Sequence, residues 1–412
     1  MYFNQIVCAF LSIISFVNGD NDHLTEFINF QNKFSKSYKD HSEMIIRSKI
    51  FENNLNLINM HNQNKEFDYY LEVNQFSDQL PHEIDSDDKI TDIRDPEMID
   101  FVDYIIKFDR VYHNNADFVS KFFNFKKNLK HILDHNLSGK SFKLDINKYS
   151  DETNDDFESR KGYISDPIYH VSSKIFNFLS KDHVGCDAFN ETSSLDVPKN
   201  IDWRDHEAVT PVKDQKKCGS CWSFSSTGAI EGSWSIKHKK LVSISEQQLI
   251  DCSRSYGDLG CYGGLMDNAF SYAIENGMCT EEDYPYTAHG HLCHSCNRSV
   301  QIQGCVDIES GNQQQLKKAV SLGPVSVAIE ADQSIFQSYS SGVIDSEDCG
   351  ENLDHGVLIV GYGVEDDIPY WLVKNSWGES WGDEGYVKIL RSDKTQDNGV
   401  CGIAMQASYV LA

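Results

Sequence analysis

The sequence is short of basic residues. Its 37 lysines and arginines stand against 63 aspartates and glutamates, which gives a formal net charge of −26. This balance argues against nucleic acid or an anionic membrane as a partner, because both attract positively charged proteins. The chain is not of disordered composition, since 40% of its residues are hydrophobic and 12% are aromatic. Its 412 residues suggest about three domains.

Long apolar runs are also missing beyond the N-terminus, so no later stretch is expected to cross a membrane. The run from Ile6 to Val17 is too short for a span and is followed by small residues, which predicts a signal peptide at residues 1–19. No Lys or Arg precedes the run, and the alternative is a buried first helix. Secretory entry would permit disulfides. Three Asn-x-Ser/Thr sequons, which are glycosylation acceptors in secreted proteins, agree with secretory entry: Asn136, Asn190 and Asn297.

Residues 20 to 160 contain an internal repeat. Most matched residues are spaced by three and four, which places them along one face of a helix in each copy. The pairs, 74 residues apart, are Phe27 and Phe101, Lys33 and Lys107, Phe34 and Phe108, Tyr38 and Tyr112, Glu43 and Asp117, Arg47 and Lys121, Phe51 and Phe125, Asn54 and Asn128, Ile58 and Ile132, and Asn62 and Asn136. Two copies are too few for a solenoid. We therefore predict two small helical domains, at residues 20–90 and 91–160.

Each predicted helix is followed by a short alternating run, at residues 74–78 and 147–151. The stretch 161–195 has weak periodicity and mixed polarity, which is typical of an extended segment that threads a groove. The pattern then predicts helices after Cys221, after a capping box at Ser245 and from Met266 to Glu275. Short β-type runs begin at Val325, Gly356, Tyr370 and Tyr386. A helical half followed by a β half predicts an α+β domain with a cleft between the halves.

Cys221 stands where a helical run begins, six residues after Gln215. A helix N-terminus favours thiolate over thiol, and a glutamine amide can donate to a developing oxyanion. Two other interpretations of the Cys218–Cys221 pair are weaker. A redox site expects a βαβ context, which is absent, and a zinc site would need a second pair such as Cys293 and Cys296.

The string Gln215…Cys218-Gly-Ser-Cys221-Trp222 resembles the active-site signature of papain-family cysteine proteases, with His355 and Asn375 at suitable distances downstream. The repeated helix resembles the propeptide of cathepsin L-like members, although duplication is a departure. The resemblance implies a papain-like two-lobed α+β peptidase, with a helical lobe and a β-barrel-like lobe, preceded by two small α-helical propeptide domains. It places the activation segment at residues 161–195 and the peptidase at 196–412.

The resemblance also implies roles for single residues. Cys221 would be the nucleophile, His355 the base that forms an ion pair with it, Asn375 the group that orients the imidazole, and Gln215 an oxyanion donor. Trp377 would shield the His–Asn hydrogen bond. Residues implied to contact substrate are Gly263, Gly264, Leu265, Met266, Ala328, Leu353, Gly356, Trp377 and Gln406. Most of the pocket for the second residue before the scissile bond is apolar, which favours Leu, Phe, Val or Tyr there, while Gln406 is a departure that leaves the specificity open.

Three disulfides follow from the same resemblance: Cys218–Cys261, Cys252–Cys293 and Cys349–Cys401. Cys186, Cys279, Cys296 and Cys305 are left over. A Cys296–Cys305 or a Cys279–Cys305 bridge is possible, and the sequence does not choose between them. If Cys186 left with the propeptide, one thiol of the mature enzyme would be unpaired.

The predicted protein is a proenzyme, a cysteine endopeptidase that needs neither a metal nor another cofactor. Its partners would be protein and peptide substrates and its own propeptide, with the second copy blocking the active site, and we expect a monomer. The first copy could be an extra cover, a targeting element or a released inhibitor.

The alternative function is a secreted inhibitor of other cysteine proteases with an inert peptidase domain. An exopeptidase would need an added blocking loop, and none is evident. We expect activation at low pH, and a lysosome, a lysosome-like vacuole or the outside of the cell as destination.

Overall fold

A computed structural model describes residues 21–39, 41–63, 69–79, 96–112, 115–164, 185–190 and 197–412. The predicted signal peptide, most of the link between the two propeptide copies and most of the activation segment lie outside these ranges. Within them, no helix combines the length and the apolarity that a membrane span requires. The chain divides into two compact units, residues 1–126 and 127–412.

The first unit is helical. Its helices are α1 (Asn21–Phe34), α2 (His41–Gln63), α3 (Pro96–Lys107) and the first half of α4 (Asn115–Leu137), which runs on into the second unit. Aromatic residues of the repeat hold the helices together, because they occupy the helix faces that the spacing predicts. In the first copy, Phe27 packs on Phe51 with ring centroids 5.5 Å apart. In the second copy, the matching Phe101 packs on Phe125 at 5.2 Å.

The repeat extends to the residues that follow each long helix. The side-chain amide of Asn54 donates to the carbonyls of Ser77 and Gln79. Asn128 makes the matching pair of bonds in the second copy. The two alternating runs form turns rather than strands, because these asparagines take up the carbonyls that a strand would offer to a neighbour. The strand of the second copy, β1 (Phe142–Leu144), comes just before its turn.

The second unit contains the rest of α4, the end of the second copy and the peptidase domain. Its further helices are α5 (Asn154–Phe157), α6 (Cys221–His238), α7 (Glu246–Cys252), α8 (Met266–Asn276), α9 (Gln313–Val320) and α10 (Ser334–Gln337). Helix α7 begins as predicted, because the Ser245 hydroxyl accepts from the backbone N–H of Gln248. Helix α8 ends at Gly277, whose φ of 72° suits glycine.

The strands follow the predicted order. They are β2 (Asp187–Ala188), β3 (Ile201–Asp202), β4 (Met278–Cys279), β5 (Arg298–Val300), β6 (Gly304–Asp307), β7 (Val325–Ile329), β8 (Tyr339–Ile344), β9 (His355–Glu365), β10 (Ile368–Lys374), β11 (Tyr386–Leu390) and β12 (Ala407–Leu411). The main sheet has the order β1-β8-β11-β10-β9-β7-β12-β6-β2, with β3 beside β9, while β4 and β5 pair separately. The predicted lobe was barrel-like; within the described residues the sheet stays open, with β1 and β2 at its two ends.

Helix α6 lies close against strand β9, and this contact brings the helical half to the β half. The Ser225 hydroxyl donates to the carbonyl of Val357 over 2.7 Å. A Cβ on Gly228 would come within 2.7 Å of the Leu358 Cδ2, so the glycine leaves this side chain room between the helix and the strand. The N-terminus of α6 therefore meets the start of β9.

Five disulfides join the described cysteines. Three are the pairs that the family resemblance implies, Cys218–Cys261, Cys252–Cys293 and Cys349–Cys401. The other two, Cys279–Cys296 and Cys186–Cys305, differ from both bridges considered from the sequence. Those alternatives were wrong because β4 and β5 bring Cys279 near Cys296, and β2 pairs with β6 beside Cys305.

Candidate active site

Cys221 is the first residue of helix α6, and it is the one described cysteine outside a disulfide. Its thiol is fully buried and is approached by the backbone N–H groups of Trp222, Gly356 and Gly162. Those donors favour the thiolate, but burial outweighs them and raises the pKa of the Cys221 thiol to about 12. In this state the sulfur is a protonated, unreactive thiol.

His355 opens strand β9 and is held by Asn375. Its Nε2 lies 2.8 Å from the Asn375 Oδ1, so Nε2 carries the proton and donates. Burial lowers the pKa of His355 to about 4, although the bond to Asn375 acts in the opposite direction. The second ring nitrogen, Nδ1, is buried and has no hydrogen-bond partner in the described part of the chain. It is therefore the nitrogen that can receive a proton.

Gly356, the residue after His355, lies directly against the backbone of Cys221 and Trp222. A Cβ on Gly356 would lie 3.2 Å from the Cα of Trp222 and 3.3 Å from the carbonyl oxygen of Cys221. This close approach requires glycine directly after His355, and it sets the start of β9 on the first turn of α6. Nucleophile and base candidates thus come from the two halves of the domain, as the sequence predicts.

Two further predicted residues surround this pair. The Trp377 ring is buried, with its centroid 4.9 Å from that of His355, a position that keeps water from the His355–Asn375 bond. Gln215 is fully buried; its Oε1 accepts from the Ser376 hydroxyl over 2.7 Å. The Asn375 Oδ1 also accepts from the backbone N–H of Ser376. Ser376 therefore fixes both amides, a role that the sequence analysis missed.

Comparison with known proteins agrees with this geometry. The profile of the papain family cysteine proteases matches residues 197–411, and that of the cathepsin propeptide inhibitor domain (I29) matches residues 27–84 and 101–157. The chain belongs to the papain family of cysteine proteases. The two I29 matches confirm the duplicated propeptide, so the protein is a cathepsin L-like proenzyme.

Known relatives match about 69–77% of the chain. The proenzyme is 45% identical over 321 residues to cathepsin L of Sarcophaga peregrina, a match that spans 74% of this chain and 90% of that relative. It is also 45% identical to the germination-specific cysteine protease 1 of Arabidopsis thaliana, over 69% of this chain and 75% of that protein. Digestive procathepsin L 3 of Tenebrio molitor larval midgut superposes with a TM-score of 0.67 at 34% identity, covering 77% of this chain and all of that one.

In the proenzyme, the start of the activation segment lies in the cleft. The Gly264 N–H donates to the carbonyl of Gly162 over 2.9 Å, and Tyr163 and Gly264 form a parallel bridge. The N–H groups of Gly162 and Tyr163 both donate to the carbonyl of Asp354. The backbone of Gly264 is thus used for main-chain pairing with the activation segment, whereas that of Gly263 bonds to Leu259 and Gly260 in its own loop.

The carbonyl of Arg160 approaches the predicted oxyanion donor. The side-chain Nε2 of Gln215 donates to this carbonyl over 3.0 Å and to that of Cys218 over 2.9 Å. Arg160 is itself held by a buried ion pair with Glu152, with Nη1 and Oε2 2.7 Å apart. The propeptide therefore presents a carbonyl where a substrate carbonyl would be polarised. The sequence could not show this, because no motif marks residues 160–164.

Tyr163 is buried and shares a hydrophobic cluster with residues of the predicted specificity pocket. It belongs to one buried cluster with four of the residues assigned to that pocket, namely Leu265, Met266, Ala328 and Leu353. Gln406 lies at the same end of the sheet and donates from Nε2 to the Asp267 Oδ2 over 3.2 Å. The Gln406 amide is thus engaged by a carboxylate in this state.

Lysines of the second propeptide copy pair with aspartates of the peptidase. Lys148 lies 2.6 Å from Asp214, and Lys140 lies 3.0 Å from Asp348. Lys161 makes a third pair, 2.9 Å from Asp332. The carboxylates in these contacts belong to the peptidase.

Proposed function

We propose that the mature protein is a cysteine endopeptidase that cleaves peptide bonds through an acyl-enzyme, with Cys221, His355, Asn375 and Gln215 as its catalytic set. The observation that carries the proposal is the His355 ring fixed by Asn375, with Nδ1 unpartnered in the described part of the chain and with the next residue, Gly356, against the first turn of the helix that begins at Cys221. Removal of the propeptide would rehydrate the site. Burial would then cease to oppose the thiolate–imidazolium pair.

The reaction follows from these groups. The Cys221 proton passes to His355, and the sulfur attacks the substrate carbonyl carbon, whose oxygen becomes an oxyanion near Gln215 and the Cys221 N–H. The His355 imidazolium gives its proton to the leaving amine as the C–N bond breaks, which leaves a thioester. Water, deprotonated by His355, attacks the thioester and releases the acid and the thiol.

We expect substrates with an aromatic or branched apolar residue at the second position before the scissile bond. Tyr163 supports this expectation, because it is buried in the same hydrophobic cluster as four apolar residues assigned to the pocket. Burial, with the Asp267 charge as a second cause, raises the pKa of the Tyr163 phenol, so the phenol stays neutral. A tyrosine at this substrate position should accordingly be accepted as well as leucine.

The proposed activity is tested by a thiol-reactive epoxide. The proenzyme should resist labelling at pH 7, because its buried thiol has a pKa of about 12. After acid processing, the epoxide should modify Cys221 with one label per chain, as read by peptide mass spectrometry, and abolish peptide hydrolysis. An inert peptidase domain, as in the inhibitor alternative, would remain unlabelled after the same treatment.

Acid should weaken propeptide docking, and Lys140–Asp348 allows a direct check. The bond from Lys140 lowers the pKa of Asp348 below its ordinary 3.8. A lowered carboxyl pKa stabilises docking above pH 3.8, and this contribution is lost as the pH falls through the lowered value. Asp348→Asn should therefore speed processing at pH 5, by less than about fivefold because the pair is exposed, and the difference should shrink toward pH 3.

The control for this pair is a double-mutant cycle. Lys140→Gln alone should match Asp348→Asn, and the double variant should add nothing further, because either change removes the same contact. Processing would be followed by gel at a range of pH values. Additive effects, or a difference that persists at pH 3, would show that this contact does not contribute to acid activation.

A further inference from the structure

A short piece of the predicted activation segment is built into the peptidase domain. Strand β2, at Asp187 and Ala188, pairs in parallel with β6 and forms the end strand of the main sheet. The N–H of Phe189 donates to the carbonyl of Asp307 over 2.9 Å. The Phe189 ring packs against Tyr409 with the centroids 6.5 Å apart. We call residues 185–190 the strap.

The strap is also held covalently. Cys186 is bonded to Cys305, which is buried in the middle of β6. Cleavage anywhere between residue 164, the last described groove residue, and residue 185 would leave the strap at the N-terminus of the mature chain. Cleavage between residues 190 and 197, near the predicted mature start, would leave it as a separate peptide attached by the disulfide. Neither cut releases the strap.

The disulfide lies beside the specificity pocket. The Cys186 sulfur, a carboxylate oxygen of Asp267 and one of Asp307 are all within 4.8 Å of one another. Asp267 accepts from the Gln406 amide and, over 2.8 Å, from the Ser408 hydroxyl. The strap therefore packs behind the carboxylate that holds Gln406, the residue assigned to the end of the pocket.

We propose that the strap stays on the active enzyme through Cys186–Cys305 and that Cys186 is a positioning residue for the Asp267–Gln406 end of the pocket. Retention keeps Cys305 from becoming an unpaired buried thiol and leaves β6 covered by a strand partner. The pocket part of this inference rests on the proposed function, whereas retention does not depend on it.

Retention of the strap is tested by measuring the mass of the processed enzyme. The full proenzyme is processed in acid, alkylated without reduction, and weighed intact before and after reduction. We expect either a mature chain that begins between residues 165 and 185, or a species that loses a Cys186-containing peptide only on reduction. A non-reduced mature enzyme that lacks residues 185–190 and carries an alkylated Cys305 would overturn retention. If the chain does not process itself, an added protease makes the cut, so an inactive enzyme and a lost strap are told apart.

The positioning role of Cys186 is tested by measuring substrate specificity. The double variant Cys186→Ser/Cys305→Ser removes the tether without leaving a lone thiol. We expect the ratio of kcat/KM for tyrosine against leucine at the second substrate position to change by roughly threefold or more, while the epoxide still labels Cys221. The matched control is Cys279→Ser/Cys296→Ser, which removes the other bridge missed from the sequence and should leave the ratio unchanged. An unchanged ratio in the first variant, with the strap lost on processing, would refute the positioning role.

Discussion

Replacing Tyr149 with alanine should make the proenzyme hydrolyse peptides at pH 7 before any processing. Tyr149 is buried, and its hydroxyl donates to the carbonyl of Trp377 over 3.1 Å. Its ring packs edge-on against Trp377, with the centroids 6.0 Å apart, and the Arg160 guanidinium lies 4.6 Å from its centroid. Truncation of such an aromatic side chain costs about 3–5 kcal/mol, which would weaken docking of the propeptide roughly 10²- to 10⁴-fold.

The duplicated propeptide supplies the control for this experiment. Phe76 has the matching place in the turn of the first copy, where its N–H bonds to Asn74 as that of Tyr149 bonds to Asn147. Its side chain is 42% exposed. Phe76→Ala should therefore leave latency intact, because we infer that the second copy alone blocks the cleft.

Intermediate variants separate docking from folding. Tyr149→Phe removes one hydrogen bond, which costs about 1 kcal/mol, so latency should weaken by less than about tenfold. Initial rates on a fluorogenic peptide, with gels that show unprocessed chain, measure the effect. If Tyr149→Ala remained as latent as Phe76→Ala while keeping the wild-type unfolding midpoint, the second copy would not be the inhibitor.

What the sequence predicts well in this protein is local. Cys221 at a helix start, the capping box at Ser245 and the repeated asparagines, such as Asn54 and Asn128, are followed by structure within a few residues or along one helix face. The family resemblance extends this to distant partners. It brings His355 to Asn375 and names three disulfides whose cysteines lie in recognisable strings.

The features that the sequence does not predict depend on tertiary contacts that no sequence motif marks. Cys186 lies in a segment of weak periodicity, and its partner is set by β2 adding to the free side of β6. The protonation state of the active site is the second case. The family resemblance implies an ion pair, whereas in the covered proenzyme burial raises the Cys221 pKa and lowers that of His355, so both groups are neutral.

The neutral state of Cys221 and His355 in the proenzyme also limits how strongly these two groups can make propeptide docking depend on pH. If the uncovered enzyme holds Cys221 as thiolate and His355 as imidazolium, opening the cleft moves one proton within the pair and takes up none. Between pH 4 and neutrality the pair alone then gives docking no pH dependence. Among the carboxylates that hold propeptide lysines, Asp348 has its pKa lowered by Lys140, so the loss of this contact should add to acid activation only below about pH 3.8.

The largest loss of activity is expected from His355→Ala in the mature enzyme, about 10⁴-fold or more in kcat/KM. Without the imidazole, the thiolate forms only as the pH approaches the ordinary thiol pKa of 9.0, and the leaving amine receives no proton. The sign of the alkaline pH dependence should then reverse. The wild-type rate falls as the imidazolium loses its proton, whereas the variant's residual rate should rise with pH.

Asn375→Ala is the matched comparison, because it removes the group that orients the imidazole but keeps the base. Its loss should be smaller, on the order of 10²-fold, and its pH profile should still fall at high pH. Both variants would be matured by immobilised wild-type enzyme, which is then removed, and equal unfolding midpoints would show that the fold is intact. A His355→Ala enzyme with the wild-type alkaline limb would mean that a group other than the His355 Nδ1, which is buried and has no partner among the described residues, carries the proton.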